Sequence, residues 1–513
     1  TVEAKLSPNS NNNISFISNA SSNSTSNGMN INLVYNTTYN SSRWTLNLSG
    51  NTGNNFLAVA TPGISGNPGT SSVVKDGDSS WTIGSLRDTR YVTINKGTLK
   101  FIGTYVRYVL SESQFNPYGI GDITINNGEF HISSSTTAAW ASCGNLVILT
   151  GSIRASSTLS ALSCSGLTTY SASIYTGLWD QSGYDNVGKP CNITHQSGNL
   201  ELWAKNYNDR GTVTVNSGKL FLKAFGTNTG SFAKYSDLIA SGNSVIDLGG
   251  YTTDIQTLTL SDCTSSNGNY IISAFAKEYN IVIGGSNTLL QTNISESSTG
   301  TNSPISMDVS LRYNGTAVLS GTNLYRGNTS LFASPTGGDP SLAKIILVNS
   351  NSVGVSTGNL TSSNATIVIN NTTIRKNNIS LGGRFTSSVG TSYILASSSF
   401  VFQAGARIGE NIVWGGDCGF TIKPYSSVNI TDVIISGTHS SSMTNQTSPI
   451  NILPPLTRLK CANDYALGGA TNGYREADSI YVSGTLQAAN NTKLKISGSL
   501  YMASGSVFKF GGS

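Results

Sequence analysis

VTVNSGKLFL, residues 213–222, is the stretch whose reading decides the fold. Two alternating apolar pairs flank a tight turn that ends in glycine. The phrase recurs as VTINKGTLKF at 92–101, ITINNGEFHI at 123–132 and, more loosely, ITHQSGNLEL at 193–202. Shorter versions follow near the end: YVSGTLQA at 481–488, LKISGSLYM at 494–502 and SGSVFKF at 504–510. Repetition at this scale marks a solenoid, whose repeats bury their apolar faces only by stacking. Period-two alternation makes each half of the phrase a strand with one buried side. Val213, Val215, Leu220 and Leu222 should point inward, and Thr214, Lys219 and Phe221 outward.

The glycines mark the corners. Gly198, Gly218 and Gly242 follow at intervals of 20 and 24 residues, a coil length suited to a parallel β-helix. A solenoid corner needs positive φ, which glycine adopts without strain at Cβ. Asparagine tolerates it next best, and Asn95, Asn126, Asn127 and Asn216 stand just before these glycines. The fold predicted is all-β: a right-handed parallel β-helix (β-solenoid) with an N-terminal β-rich cap or small β-sandwich. Residues 1–88 are set apart as that cap, because ISFIS at 14–18, MNINLVY at 29–35 and RWTLNLSG at 43–50 alternate without the glycine turn. Residues 89–400 form the helix proper, with loop excursions at 295–306 and 334–341. Residues 401–513 carry the C-terminal rungs, which end on an uncapped edge at Ser504, Val507, Phe508 and Phe510. An open sheet edge templates pairing with another chain.

Composition narrows the function. Charged residues make up 11% of the 513, against roughly 25% in ordinary soluble proteins, so Asn, Ser, Thr and Gly supply the polar surface. A net charge of +5 is spread thinly, without a dense Lys/Arg run, so a nucleic-acid partner is not expected. The apolar stretches are far too short for a transmembrane helix. TVEAKLSPNS opens the chain without Met, as a mature form with its leader removed would. Sequons such as those at Asn13, Asn36 and Asn192 are no denser than the composition gives by chance.

Six cysteines, Cys143, Cys164, Cys191, Cys263, Cys418 and Cys461, form no CxxC and no zinc-ligand spacing. An even count in a chain of secreted character favours disulfides. Cys143 and Cys164 lie 21 residues apart, one coil, which would stack them on adjacent rungs within bridging distance. Cys191–Cys263 and Cys418–Cys461 remain by elimination, and small buried apolar thiols are the alternative for several of the six.

VTVNSGKLFLKA, 213–224, and YVSGTLQA look like the autotransporter-associated β-strand repeat of bacterial surface proteins, and more broadly like pectin-lyase-like parallel β-helix surface proteins. The resemblance covers about half of the chain after residue 90. It implies a right-handed parallel β-helix in a secreted, cell-surface setting, and it supplies no catalytic residues.

Chemistry is sparse. Glycoside hydrolysis needs two facing carboxylates. The scattered acids, Asp76 and Asp78 in KDGDSS, Asp247, Asp254, Asp339 and Asp417, read as turn carboxylates. Asp76 and Asp78 hold only a fragment of a calcium loop. His131 and His195 read as surface imidazoles, and His439 has no catalytic context. Neither a metal nor a cofactor is expected. Trp81, Trp140, Trp179, Trp203 and Trp414, with 22 tyrosines, could supply an outward glycan platform or simply pack on the coil. The reading is therefore a non-enzymatic extracellular protein. It is a subunit of a cell-surface filament, sheath or layer, polymerising with itself end to end by β-strand augmentation. A monomeric β-helix adhesin for glycans or host surfaces is the alternative, and a polysaccharide lyase or hydrolase is the third.

Overall fold

A computed structural model describes residues 2–5, 12–18, 30–34, 44–51, 55–60, 71–83, 89–102, 110–111, 114–115, 120–133, 140–155, 161–175, 177–179, 192–203, 211–225, 228–229, 236–272, 281–296, 304–333, 342–403, 406–416, 420–422, 431–436, 438–440, 450–453, 457–462, 464, 466–467, 480–494 and 499–511. Among these the fold is all-β, without an α-helix, and its strands stack in parallel as a β-solenoid. The chain divides into two compact units, Thr1–Gln256 and Thr257–Ser513.

In the first unit the repeat phrase folds as expected. Thr212–Val215 and Lys219–Leu222 are two strands of one coil. Asn192–His195 and Asn199–Leu202 lie one coil below, paired in parallel and in register with them. Val213, Val215, Leu220 and Leu222 are buried, whereas Thr214 and Phe221 are partly exposed and Lys219 is exposed. Equivalent residues therefore form columns. Leu46, Val73, Val92, Ile123, Leu146, Leu167, Ile193, Val213 and Leu238 make one continuous buried apolar column.

The strands described within 1–88 differ from the cap or sandwich expected there. Asn12–Ser18, Trp44–Gly50, Ser71–Lys75 and Thr89–Ile94 pair successively in parallel. A second ladder runs beside it through Asn55–Ala60, Ser80–Ile83 and Gly97–Ile102. A β-sandwich is antiparallel, so these strands are rungs, and both ladders pass residue 88 without a break. Their corners turn on Gly50 and Gly77, both at positive φ, though the repeat phrase is absent.

The second unit has the same construction with longer strands that bend at corners. Ile281–Leu290 and Met307–Leu319 pair along both halves with a register shift between Gly285 and Asn287. Strand Ser392–Phe402 runs through the 400/401 division and is paired on both sides, with Thr373–Ser387 and with Ile412–Gly416 and Phe420–Ile422. The excursions at 297–303 and 334–341 lie outside the described residues.

Gly97, Gly198, Gly218 and Gly242 take positive φ as the motif requires. The left-handed asparagines are others, including Asn243, Asn267, Asn314, Asn364 and Asn411. Asn95 and Asn126 instead join side chains across rungs, Asn126 Nδ2 donating to Asn95 Oδ1 at 2.7 Å. Gly218 has a second reason for its identity. A Cβ there would lie 2.3 Å from the Gly198 carbonyl oxygen, whereas one on Gly505, also at φ 81°, would meet nothing within 4 Å. Gly505→Ala should therefore cost about 1–2 kcal/mol from φ alone. Gly218→Ala should cost more, about 3 kcal/mol or above, because backbone must also move. Urea denaturation of the two variants checks the difference.

Candidate functional site

Leu500–Met502 pairs with Ile480–Val482, and Val507–Phe510 pairs with Thr485–Ala488. Among the described residues neither strand has a partner on its other side. The two strands join through a turn in which Ser506 N and Oγ donate to the Ala503 carbonyl and Gly505 takes positive φ. Ser504 lies exposed in this turn.

Burial changes abruptly at this rung. One coil below, Ile480, Val482, Leu486 and Ala488 are buried. Their register partners Leu500, Met502 and Phe510 are exposed, Phe510 at 79%, and Phe508 is partly exposed. Val507 is exposed beside them. Residues whose equivalents form the interior here face solvent, and among the described residues no further rung pairs with them. Phe508 and Phe510 meet edge to face at 4.4 Å. On the outward side, Tyr501 stacks flat on Tyr481, with centroids 4.6 Å and planes 7° apart.

The sequence reading named Ser504, Val507, Phe508 and Phe510. It left out Leu500, Tyr501 and Met502, which form the other half of the same open edge. The signal was available: SLYM repeats the position of IYV one coil earlier.

The remaining candidates disperse. Cys143 and Cys164 are register partners, as their spacing implied, yet no disulfide joins them. Cys263 and Cys461 are likewise buried thiols, and burial pushes each up to about 12. The bridges expected at these four positions are thus not made, and each thiol packs as a small apolar group. Cys191 and Cys418 lie outside the described residues, as do Asp339 and Asp417. Asp76 Oδ1 accepts from Gly77 N at 2.8 Å and Asp78 pairs with Lys96 at 2.9 Å. Asp247 Oδ1 accepts from Gly249 N at 2.9 Å. These are corner contacts.

His195 is buried, contrary to the surface position expected. It shares parity with Ile193 and so points inward. Its Nδ1 bonds Thr169 Oγ1, its register partner, at 2.9 Å, and burial lowers its pKa. Trp81 and Trp414 are also fully buried, which removes them from any outward platform. The imidazole of His131 does lie outward, between Lys100 and Arg154 in register. Trp203 faces outward too, with its ring stacked on Tyr175 at 5.3 Å and Nε1 donating to Glu201. The two rings cover one another's faces, and Arg154 lies 4.0 Å over Tyr175, so this column presents edges rather than a sugar platform. The side chains of Trp140, Trp179 and His439 lie outside the described residues.

Two lysines occupy inward positions. Lys75 Nζ donates to the carbonyls of Asp76, Gly77 and Lys96 at 2.7–2.9 Å. Lys376 Nζ donates to the carbonyls of Val353 and Val355. Burial lowers both to about 8, with Asp76 and Asp78 opposing the shift at Lys75. Each ammonium is held by backbone, with no electrophile beside it.

Comparison with family models, with curated proteins and with solved structures finds no match.

The lysines give a pH dependence. Below pH 8 both are protonated, folded or unfolded, and the burial cost is fully present. Between the folded value near 8 and the unfolded value near 10.5 the unfolded chain binds more protons, so stability rises with pH. The gain is about 1–3 kcal/mol per lysine over that window. Above pH 9 the buried thiols Cys263 and Cys461 act in the opposite sense, because their protons are held more tightly when folded. Unfolding free energies should therefore increase from pH 7.5 to 9. Lys75→Met with Lys376→Met should flatten that slope.

Proposed function

We propose that the chain is a structural subunit of an extracellular filament, sheath or layer, assembling end to end by β-strand augmentation. The open rung at 500–510 carries this reading. Its two strands offer unpaired backbone along one edge, and Leu500, Met502, Phe508 and Phe510 form the bare end of an apolar core. The occupant that suits both is another pair of parallel strands with alternating apolar residues. A second copy offers such strands at the other end of the sequence. Asn12–Ser18 pairs only with Trp44–Gly50, and Val2–Lys5 only with Asn30–Val34, among the described residues. Joining unlike edges is heterologous, and it propagates as a filament where the rotation between copies does not close a ring. The low charge and the resemblance to secreted bacterial repeats support the extracellular setting.

Electron microscopy at rising protein concentration tests this. Fibres should appear, and Phe510→Asp should abolish them while leaving the circular dichroism of the β-solenoid unchanged. Isolated particles at every concentration would count against the proposal, as would fibres indifferent to Phe510→Asp.

A further inference from the structure

The first unit divides its outward side chains by charge. One ladder of ten parallel strands runs from Asn12–Ser18 to Ser236–Ala240. Its central outward column reads Ser15, Asn47, Val74, Thr93, Thr124, Val147, Thr168, Thr194, Thr214 and Ile239, without a charge. The threonines are the residues that the repeat phrase places between its β-branched pairs. Among the side chains described on this ladder, ionised groups at outward positions are confined to Asp76, Asp122 and Asp237 in the flanking columns, and Asp76 and Asp122 cap backbone N–H groups. Every large apolar side chain described as exposed in this unit, Ile17, Tyr91, Leu149, Tyr170 and Ile239, lies on the same ladder.

The second ladder carries the opposite chemistry. Lys100, His131, Arg154, Tyr175, Trp203 and Lys223 stack outward in one column, with Glu129, Glu201 and Asp247 in the next. Arg154 Nε meets Glu129 at 2.6 Å.

We propose that the uncharged face of residues 12–241 is a lateral docking surface for the same face of a second copy. Three features select that occupant. The central columns carry no charge to oppose one another, whereas apposing the second ladder would stack Lys100, Arg154 and Lys223 against their equivalents. The β-branched Thr and Val side chains have few rotamers to lose, so ordering them costs little. The area suffices: ten strands about 4.8 Å apart, each about five residues wide, present about 800 Å² per copy, close to the ~800 Å² that each partner buries in a standard interface. Sheet faces pack about 10 Å apart with side chains interdigitated. A two-fold axis near the middle of the ladder places Thr124 and Val147 close to their own equivalents.

The inference is independent of end-to-end assembly and is tested with the terminal rung blocked. In the full chain carrying Phe510→Asp, sedimentation velocity should still find a reversible dimer. Adding Thr124→Lys should weaken it by about tenfold or more, because two ammonium groups are then buried face to face. Adding Ser152→Lys, on the charged ladder, should leave it unchanged. Val147→Cys should cross-link to itself through a short bismaleimide. Three results would overturn the proposal: monomers throughout, a dimer equally weakened by both lysines, or a monomer that binds an insoluble crystalline polysaccharide through this face. Fibres lost in Phe510→Asp with the dimer retained would separate the two contacts. A dimer in a protein that never forms fibres would uphold this face and sink the axial reading.

Discussion

Everything in this structure depends on parallel strands hydrogen-bonded in register from one coil to the next. The pairing leaves each coil no freedom along the strand. Asn95 N must find the Lys75 carbonyl and Asn126 N the Ile94 carbonyl, at 2.8 Å each. A one-residue slip would turn every inward side chain outward. Corners must absorb whatever the strands cannot, which is why glycines sit where backbone crosses backbone. At Gly218 the next carbonyl lies where a Cβ would be.

Register has a second consequence: like meets like. Amides bridge amides at Asn95 and Asn126, and again at Asn359 and Asn378. Rings stack on rings at Tyr481 and Tyr501. Several polar groups that enter the interior find partners within their own coil or on the next one. His195 bonds Thr169, Ser265 meets Tyr270 and Thr292, and Tyr325 bonds Thr329, which donates in turn to the Val353 carbonyl. The Lys75 ammonium takes this furthest, drawing on the Gly77 and Lys96 carbonyls from two coils at once.

Much of this could be read from parity and spacing. The inward and outward sides of 213–222, the positive-φ glycines and the pairing of Cys143 with Cys164 follow from alternation and coil length. What escaped did so for definite reasons. His195 and Trp81 were judged by residue type, although each shares parity with a buried neighbour, Ile193 or Ile83, and the inward Lys75 beside Val73 drew no reading at all. The rungs within 12–83 were missed because their corners are built without the repeat phrase. The open edge was half legible. The last strand was recognised, but Leu500–Met502 was not, although SLYM repeats the position of IYV one coil earlier. No disulfide joins Cys143 and Cys164 although their spacing placed them in register.

In a linear stack each repeat is stabilised by its two neighbours, so a rung paired on one side alone has half the contacts of an internal one. Adding a rung from another molecule there is chemically the same event as adding the next rung of the same chain. The same backbone bonds form, and the same apolar column is extended over Leu500, Met502 and Phe510. Axial association is then a continuation of folding and inherits its directionality and register. Contact through the Thr-rich face is of a different kind. It uses side chains that folding leaves unconstrained, so their lack of charge is not demanded by the coil. The second ladder of the same coils carries Lys, Arg and Glu without disturbing the fold. The neutrality of the first ladder is therefore a property of these side chains and not a requirement of the architecture.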